Sequence, residues 1–298
     1  MVSAPGAPCP ACRAAATASA GYAAHDYEGY APADTAFTVM RCAACASLFL
    51  DPPPSPAQTA AFYSADYMST AATGGFFAGM RALWDGTTAK SFARRAGAQA
   101  AILDYGCGDG GFVRRLREAG CTDVTGYDPM ARDEDLAGGI VRDLAALTAS
   151  GRRFDVIRMC NVIEHLAEPE VTMAQLHALL ADGGVVEGET ANGAHASSRW
   201  FGSLWGYLHY PYHTVMFSPE GLAEAAARWG YSRAETFDTL APGSWSLTME
   251  HALKAATRSD ARGHVPLYPA MVLLSAPAVA LDALLPGRTT AMGFRLTR

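Results

Sequence analysis

The sequence of 298 residues predicts an α/β fold, a mostly parallel sheet with helices on both faces, preceded by a small cysteine module and a helical cap. Three observations predict it. Beyond residue 98, short apolar runs alternate with amphipathic stretches, the pattern of strands joined by crossover helices. One of those runs, 101–105, leads into a glycine-rich turn and then a helix. Ahead of them stand two close pairs of cysteines, set apart by Asp51-Pro52-Pro53-Pro54-Ser55-Pro56, which can continue neither a strand nor a helix.

Composition sets the outer limits. With 50% hydrophobic and 17% charged residues, the chain is too apolar for disorder and not apolar enough for a polytopic membrane protein. Its 23 Lys+Arg against 29 Asp+Glu give a net charge of -6, so no global basic field holds a polyanion and nucleic acid is not an expected partner. The amino terminus lacks the basic and apolar regions of a secretory signal, and the protein is expected in the cytoplasm. There its seven cysteines read as metal ligands or packing residues rather than disulfides.

Taken in chain order, Cys9-Pro10-Ala11-Cys12 and Cys42-Ala43-Ala44-Cys45 each carry two thiols at the spacing that aims both at one tetrahedral ion. Four thiolates suit zinc and leave no open coordination position, so a structural Zn(2+) is expected, with buried free cysteines as the alternative. The stretch between the pairs has room for a short β-ribbon, which makes 1–55 a zinc-ribbon-like module. Cys107, Cys121 and Cys160 fall inside apolar segments and read as core. Residues 56–97 read as a helical cap and linker, anchored by Phe62, Tyr63, Tyr67, Phe76, Phe77, Leu83 and Trp84 and hinged at Gly74-Gly75.

From 98 to 298 the pattern predicts strands at 101–105, 124–127, 139–142, 154–160, 184–189, 234–237 and 292–297. Helices are expected at 111–119, 168–180 and 219–229, the last opened by a Ser218 cap and Pro219. An aromatic lid falls at about 195–217 and an apolar helical insertion at about 246–288. Within the insertion, 265–286 is interrupted by Pro266, Pro269, Pro277 and Asp282 and is a poor candidate to span a membrane. Resting on a membrane or a partner is the less favoured alternative to an ordinary helical insertion.

The glycine turn is the sharpest signal. In Asp104-Tyr105-Gly106-Cys107-Gly108-Asp109-Gly110-Gly111, Gly106, Gly108 and Gly110 let a ligand approach the backbone. The spacing fits either a dinucleotide or S-adenosylmethionine. A pyrophosphate would face the carboxylates of Asp104 and Asp109, whereas a sulfonium and an ammonium gain from them. Asp104 can hold the methionine end. Asp128, at the end of the second strand, lies where an acid binds ribose hydroxyls, with a simple cap before Pro129 as the alternative.

Over roughly 98–240 these motifs resemble the class I methyltransferases that use S-adenosyl-L-methionine, which implies a Rossmann-like fold. Phe154-Asp155-Val156-Ile157-Arg158 through Glu164-His165-Leu166 is similar to the fourth strand and following loop of that family. The resemblance puts Asp143 beside the adenine amine, and Asn161, ending the fourth strand, is taken with the cofactor contacts. Phe37-Thr38-Val39-Met40-Arg41-Cys42 running to Phe62-Tyr63-Ser64-Ala65-Asp66-Tyr67 resembles the zinc-binding module that precedes many small-molecule methyltransferases. Arg158 departs from the pattern, a charge where the family usually has an aliphatic residue. The resemblance implies a structural role for Glu164 and His165, or a divalent ion as in ubiquinone-type O-methyltransferases. The Asn/Asp-Pro-Pro-Tyr sequence that the resemblance ties to exocyclic amine methylation is absent.

The lid is unusually aromatic. Arg199, Trp200, Trp205 and Tyr212 are candidate substrate contacts, the rings for a sugar or planar group and the guanidinium for a carboxylate or phosphate. A hydrophobic lid packed on the sheet is the alternative. His213 has the titration range of a general base, beside a purely structural reading. Glu189, Thr190 and Asn192 follow the fifth strand and are further candidates for polar substrate groups. The expected reaction is methylation of oxygen or carbon on a small metabolite, such as a sugar or natural-product intermediate. Its rivals are an NAD-dependent oxidoreductase using the same turn and a non-catalytic zinc-module protein with a degenerate methyltransferase domain.

Overall fold

Short polar and apolar alternations around the cysteine pairs form three strands, β1 (Tyr22–Ala23), β2 (Thr38–Arg41) and β3 (Leu48–Asp51), paired antiparallel in that order. The structure is a computed structural model describing residues 7–15, 21–29, 31–32, 35–62, 76–241, 243–284 and 289–298. Tyr63, Tyr67 and the expected Gly74-Gly75 hinge lie outside the described residues, as do the side chains of Phe76, Phe77 and Leu83. After the prolines come α1 (Pro56–Phe62) and α2 (Phe76–Ala96). Trp84, expected to anchor this cap, is instead 59% exposed. Ala89, Phe92 and Ala93, three and four residues apart on one helical stripe, make the buried face.

The apolar run at 101–105 is β4 (Ala101–Tyr105), followed by α3 (Gly111–Glu118), β5 (Asp123–Tyr127), α4 (Asp133–Leu136), β6 (Ile140–Val141), α5 (Leu144–Ala149) and β7 (Phe154–Cys160). Then come α6 (Pro169–Leu179), β8 (Leu180–Ala191), α7 (Ala196–Phe201), β9 (Val215–Met216), α8 (Pro219–Arg228) and β10 (Arg233–Thr239). The insertion is α9 (Gly243–Thr257), α10 (Tyr268–Leu274) and α11 (Ala276–Leu284), and β11 (Ala291–Thr297) closes the described chain. Among the described residues the main sheet has seven strands in the order β10-β11-β8-β7-β4-β5-β6, with β11 antiparallel to both neighbours. On one face Leu103, Tyr105, Ile157 and Met159 pack against Met173 and Leu222. On the other, Ile102, Val124 and Val156 pack against Phe92, Val113 and Leu116. Both faces are covered, which is why these strands read as continuous apolar runs. The chain leaves β4 toward β5 on one side and meets β7 on the other, so the carboxyl end of β4 opens a crevice.

Among the strands whose bounds differ from the pattern, β8 and β6 show why. β8 starts at Leu180 rather than 184, because Leu180 pairs with Phe154 before a register shift puts Val185 beside Val156. β6 keeps only Ile140–Val141, the residues held by β5.

The described part of 1–55 joins the rest of the chain. β9 pairs antiparallel with β3, Leu48 opposite Met216 and Phe49 opposite Val215, completing the sheet β1-β2-β3-β9. The Ser218 N–H donates to Ser47 Oγ at 2.9 Å, and Arg228 Nη2 donates to the Ala11 carbonyl at 2.6 Å. Cys9, Ala11, Cys42 and Cys45 share one buried cluster with Ile157 and Leu222.

The insertion is polar inward. Ser246, Thr248, Glu250, His251 and Lys254 of α9 are buried, and Lys254 Nζ donates to the carbonyls of Tyr27 (2.6 Å), Gly263 (2.6 Å) and Ala261 (3.1 Å). Leu273, Leu274, Leu281 and Leu284 point outward. Among the described residues no helix is long and apolar enough to cross a membrane.

Gly193 sits at the seam between β8 and the module, its N–H donating to the Phe217 carbonyl at 2.9 Å. A Cβ there would lie 2.3 Å from the Met216 carbonyl oxygen and 3.2 Å from the Leu48 nitrogen. Gly193→Ala is expected to cost roughly 1 to 3 kcal/mol, the usual range for overpacking, read as a lower Tm and faster proteolysis of the module. An unchanged Tm would mean that the seam tolerates separation.

Candidate active site

The glycine turn is fastened before any ligand arrives. The Gly106 and Cys107 N–H groups donate to the Tyr127 carbonyl at 2.7 and 3.1 Å, tying the turn to the end of β5. The glycines do different jobs. Gly106 has φ +77°, and a Cβ on it would stand 2.5 Å from Val162 Cγ2, so it is a packing glycine, as is Gly110 against Ile140. Gly108, at φ +55°, has nothing within 4 Å of its Cβ direction and is the member of the turn that faces open space.

The acids around the turn also divide. Asp109, read as part of a ligand's field, is exposed, accepts the Gly111 N–H at 2.8 Å and pairs with Arg114 at 3.4 Å. Asp128 accepts the Gly108 N–H on Oδ2 at 2.9 Å and the Met130 N–H on Oδ1 at 2.8 Å, so it braces the turn from the end of β5. Asp143 caps α5 by accepting the Ala146 N–H at 2.9 Å. Asn161, in the left-handed region at φ 52°, donates its N–H to the Glu189 carbonyl at 2.7 Å.

Asp104 is 1% exposed. Its Oδ1 accepts from Arg158 Nη1 at 2.7 Å, and its buried Oδ2 has no hydrogen-bond partner among the described residues. The Arg158 guanidinium lies 3.6 Å from the centre of the Phe112 ring. Burial works against the charge on Arg158, but Asp104, Cys160 and Glu189 outweigh it and its pKa is raised. An orphaned buried carboxylate oxygen beside an open glycine turn fits a cationic group supplied by a ligand, and a cofactor ammonium has that chemistry.

A second polar nest gathers at the lid. Glu164 and His165 form a short 3-10 turn after β7, and the Glu164 carbonyl accepts the Thr214 N–H at 2.7 Å. His213 Nδ1 lies 2.8 Å from the Tyr207 carbonyl, an acceptor, so Nδ1 carries the proton and Nε2 is the acceptor, 3.9 Å from Glu164 Oε1. The His165 ring meets His213 edge-on at 4.5 Å, and His209 lies 4.9 Å from His213. Glu28 reaches over from the module to pair with His209 Nδ1.

The shifts follow from this crowding. Burial pushes Glu164 up to about 7. Burial, with His209 adding, pulls His165 down to about 3. Burial and then His165 and His209 hold His213 well below its ordinary value. Burial also opposes charge on His209, but Glu28 outweighs it and raises its pKa. The nest therefore sets one imidazole whose charge is favoured beside two whose charge is disfavoured.

The lid aromatics do not gather around one cavity. Trp205 and Tyr212 are fully buried in a cluster with Phe37, Leu48, Leu50 and Phe62, because the lid is the cover over β1–β3. Arg199 and Trp200 point to solvent from α7, Trp200 at 72% exposure. Of the four expected substrate contacts, Trp205 and Tyr212 lie in this core and Arg199 and Trp200 at the surface, and the structure does not bring the four together. His209, Glu28 and the Asp104 partner Arg158 were not singled out as site residues by sequence reasoning. Arg158 alone carried a signal, a charge inside an apolar strand.

Away from the crevice the four paired cysteines converge. Cys9 and Cys45 sulfurs are 3.8 Å apart, Cys12 and Cys42 3.5 Å, and all four lie within 4.8 Å of one another. Within this coupled pair, hydrogen bonds from Cys9 and then Ser47 outweigh burial and pull the Cys45 thiol down to about 4, while Cys45 and then burial push Cys9 up, so the pair favours charge on one sulfur.

A model of a methyltransferase domain matches residues 77–235, more than half of the chain. The chain belongs to that family. That membership sets aside the oxidoreductase reading of its glycine turn. Among curated relatives, this methyltransferase is 31% identical over 102 residues to a ubiquinone biosynthesis O-methyltransferase of Rhizobium leguminosarum, covering 30% of this chain and 40% of that one. It is 33% identical over 102 residues to the protein of the same name from Cereibacter sphaeroides, covering 30% and 41%. The chain spans about two fifths of the length of these curated relatives. Among solved structures it is similar to an S-adenosylmethionine-dependent methyltransferase of Archaeoglobus fulgidus, at 16% identity and a TM-score of 0.45 over 72% of this chain and 94% of that one. The plantazolicin methyltransferase BamL bound to S-adenosylhomocysteine gives 12% identity and 0.44 over 74% and 85%.

The buried nest makes a pH prediction. As pH falls below about 6.5, unfolded chains protonate His165, His213 and His251, while the folded state, with His251 also pulled down to about 4 by burial, does not. Glu164 acts the other way, since the folded state keeps a proton that the unfolded carboxylate gives up, and His209 and Glu189, whose folded pKa values are also raised, act with it; the three histidines outweigh them toward pH 5. The unfolded state still binds more protons, so stability falls as pH drops from about 6.5 to 5. Tm is expected to fall steadily over that window, with a shallower slope in His165→Gln. A flat profile in the parent protein contradicts the neutral assignment.

Proposed function

We propose that this methyltransferase methylates oxygen or an acidic carbon of a small metabolite, a sugar or a natural-product intermediate, with His213 as general base. The observation that carries the reading is a neutral, buried His213 whose Nδ1–H is anchored on the Tyr207 carbonyl, leaving Nε2 to accept a proton. A hydroxyl or carbon acid needs such a base, whereas an amine attacks through its own lone pair. The relatives named as O-methyltransferases favour oxygen.

When bound, the cofactor supplies an electrophilic methyl group on a sulfonium. Asp104 binds its ammonium, Gly106, Gly108 and Gly110 shape the turn beneath it with Gly108 opening the approach, and Asp128 and Asp143 serve the ribose and adenine. Asn161, at the mouth of β7, completes that set. The protein's task is then alignment and proton removal, with Glu164 Oε1 a polar neighbour 3.9 Å from His213 Nε2. Cys9, Cys12, Cys42 and Cys45 bind one structural zinc ion. Zn–S bonds of about 2.3 Å in a tetrahedron put sulfurs about 3.8 Å apart, the separation between Cys9 and Cys45.

The test begins with transfer of a labelled methyl group to a panel of hydroxylated metabolites. With an acceptor in hand, His213→Ala is expected to lower turnover about 100- to 10,000-fold and leave S-adenosylhomocysteine affinity by calorimetry unchanged. Joint loss of binding and turnover would make His213 structural. For the metal, elemental analysis of purified protein is expected to find one equivalent of zinc, and Cys9→Ser to lower Tm, because ligation energy is folding energy in such a module. Folded protein free of zinc rejects that assignment.

A further inference from the structure

We propose that Arg158 binds the carboxylate of the cofactor's amino-acid end, so that Asp104 and Arg158 together form a reader of a zwitterion. The inference rests on Asp104 marking the methionine end of the cofactor site. S-adenosylmethionine presents there an ammonium and a carboxylate on one carbon, and a site complementary to both needs an anion and a cation side by side.

The sheet supplies that pair. Asp104 and Arg158 are register partners on the neighbouring parallel strands β4 and β7, so their side chains leave the same face, two residues ahead of Gly106. Each has capacity left over. Arg158 spends Nη1 on Asp104 Oδ1, and the buried Asp104 Oδ2 has no hydrogen-bond partner among the described residues. A guanidinium carries five N–H donors in a planar fork suited to a carboxylate. Here the fork is fixed over Phe112, in the first turn of α3, the helix that follows the glycine turn. A guanidinium fork with further donors, beside a carboxylate with an unmatched oxygen on the neighbouring strand, is complementary to an amino acid's two charges.

Neutralising Asp104 is the simpler role for Arg158, and it predicts something different. A ligand carboxylate arriving beside Asp104 alone would be repelled by it, whereas beside the pair it gains a charge-assisted contact. Calorimetry with S-adenosylhomocysteine and its decarboxylated analogue separates the two roles. The parent protein is expected to bind S-adenosylhomocysteine about 10- to 100-fold more tightly than the analogue, the worth of one hydrogen-bonded charge. Arg158→Lys, which keeps the charge and loses the fork, is expected to narrow that ratio. Removing Arg158 alone leaves a buried carboxylate unpaired, so the informative variant is the double Asp104→Asn, Arg158→Met, which removes both charges and is expected to bind the two ligands alike. Equal binding of both by the parent, or an undiminished ratio in the double variant, overturns the proposal and leaves Arg158 as a neutralising partner. Failure of the parent to bind either ligand overturns the cofactor-site reading itself.

Discussion

Asp104, next to the last residue of β4, carries a carboxylate closed off from water, and the fold around the crevice depends on how that charge is held. Taking a carboxylate out of water costs several kcal/mol unless a partner and further hydrogen bonds offset it. Arg158 supplies the partner from the adjacent strand, and Phe112 supplies a ring for the guanidinium to lie on. Because side chains alternate along a strand, a slip of one residue between β4 and β7 would send the two charges to opposite faces. The pair therefore fixes the register of the strands that frame the crevice and the seat of the helix that begins at Gly111. The Tyr127 carbonyl and the Asp128 carboxylate then fasten the turn from the other side.

Charge is managed differently at the lid. Glu28, from the amino-terminal module, keeps His209 charged, and that charge helps keep His165 and His213 neutral. Three parts of the chain meet there: the module, the turn after β7 and the end of the lid. Lys254 adds a fourth by binding the Tyr27 carbonyl, next in the chain to Glu28. The inward polar face of α9 thus holds the loop that carries Glu28, while the outward leucines of α10 and α11 take no part in the site.

Much of this was legible in the chain. The run at 101–105 and its glycine turn appear where the pattern put them, because buried parallel strands and tight turns are written locally. Ser218 caps α8 as its sequence suggests, accepting the Gly221 N–H at 2.8 Å. The four cysteines meet because two short local turns each set a pair. What escaped was non-local. Glu28 and His209 are 181 residues apart, and nothing near either one announces the other. The lid shows the same limit: aromatic density is visible in sequence, but whether a ring faces a ligand or covers β1–β3 depends on a sheet assembled elsewhere. β9, two residues long, is too short to show any period.

The ladder between β3 and β9 bears on how the protein is made. Leu48 and Phe49 leave the ribosome long before Val215 and Met216, and at about 5 to 20 residues per second the delay is roughly 10 to 30 seconds. Throughout that interval the outer edge of β3 is an open template for any extended chain nearby. The cysteine quartet, complete by residue 45, can tie its loops together during the wait, so a bound ion would act first as a guardian of the nascent chain.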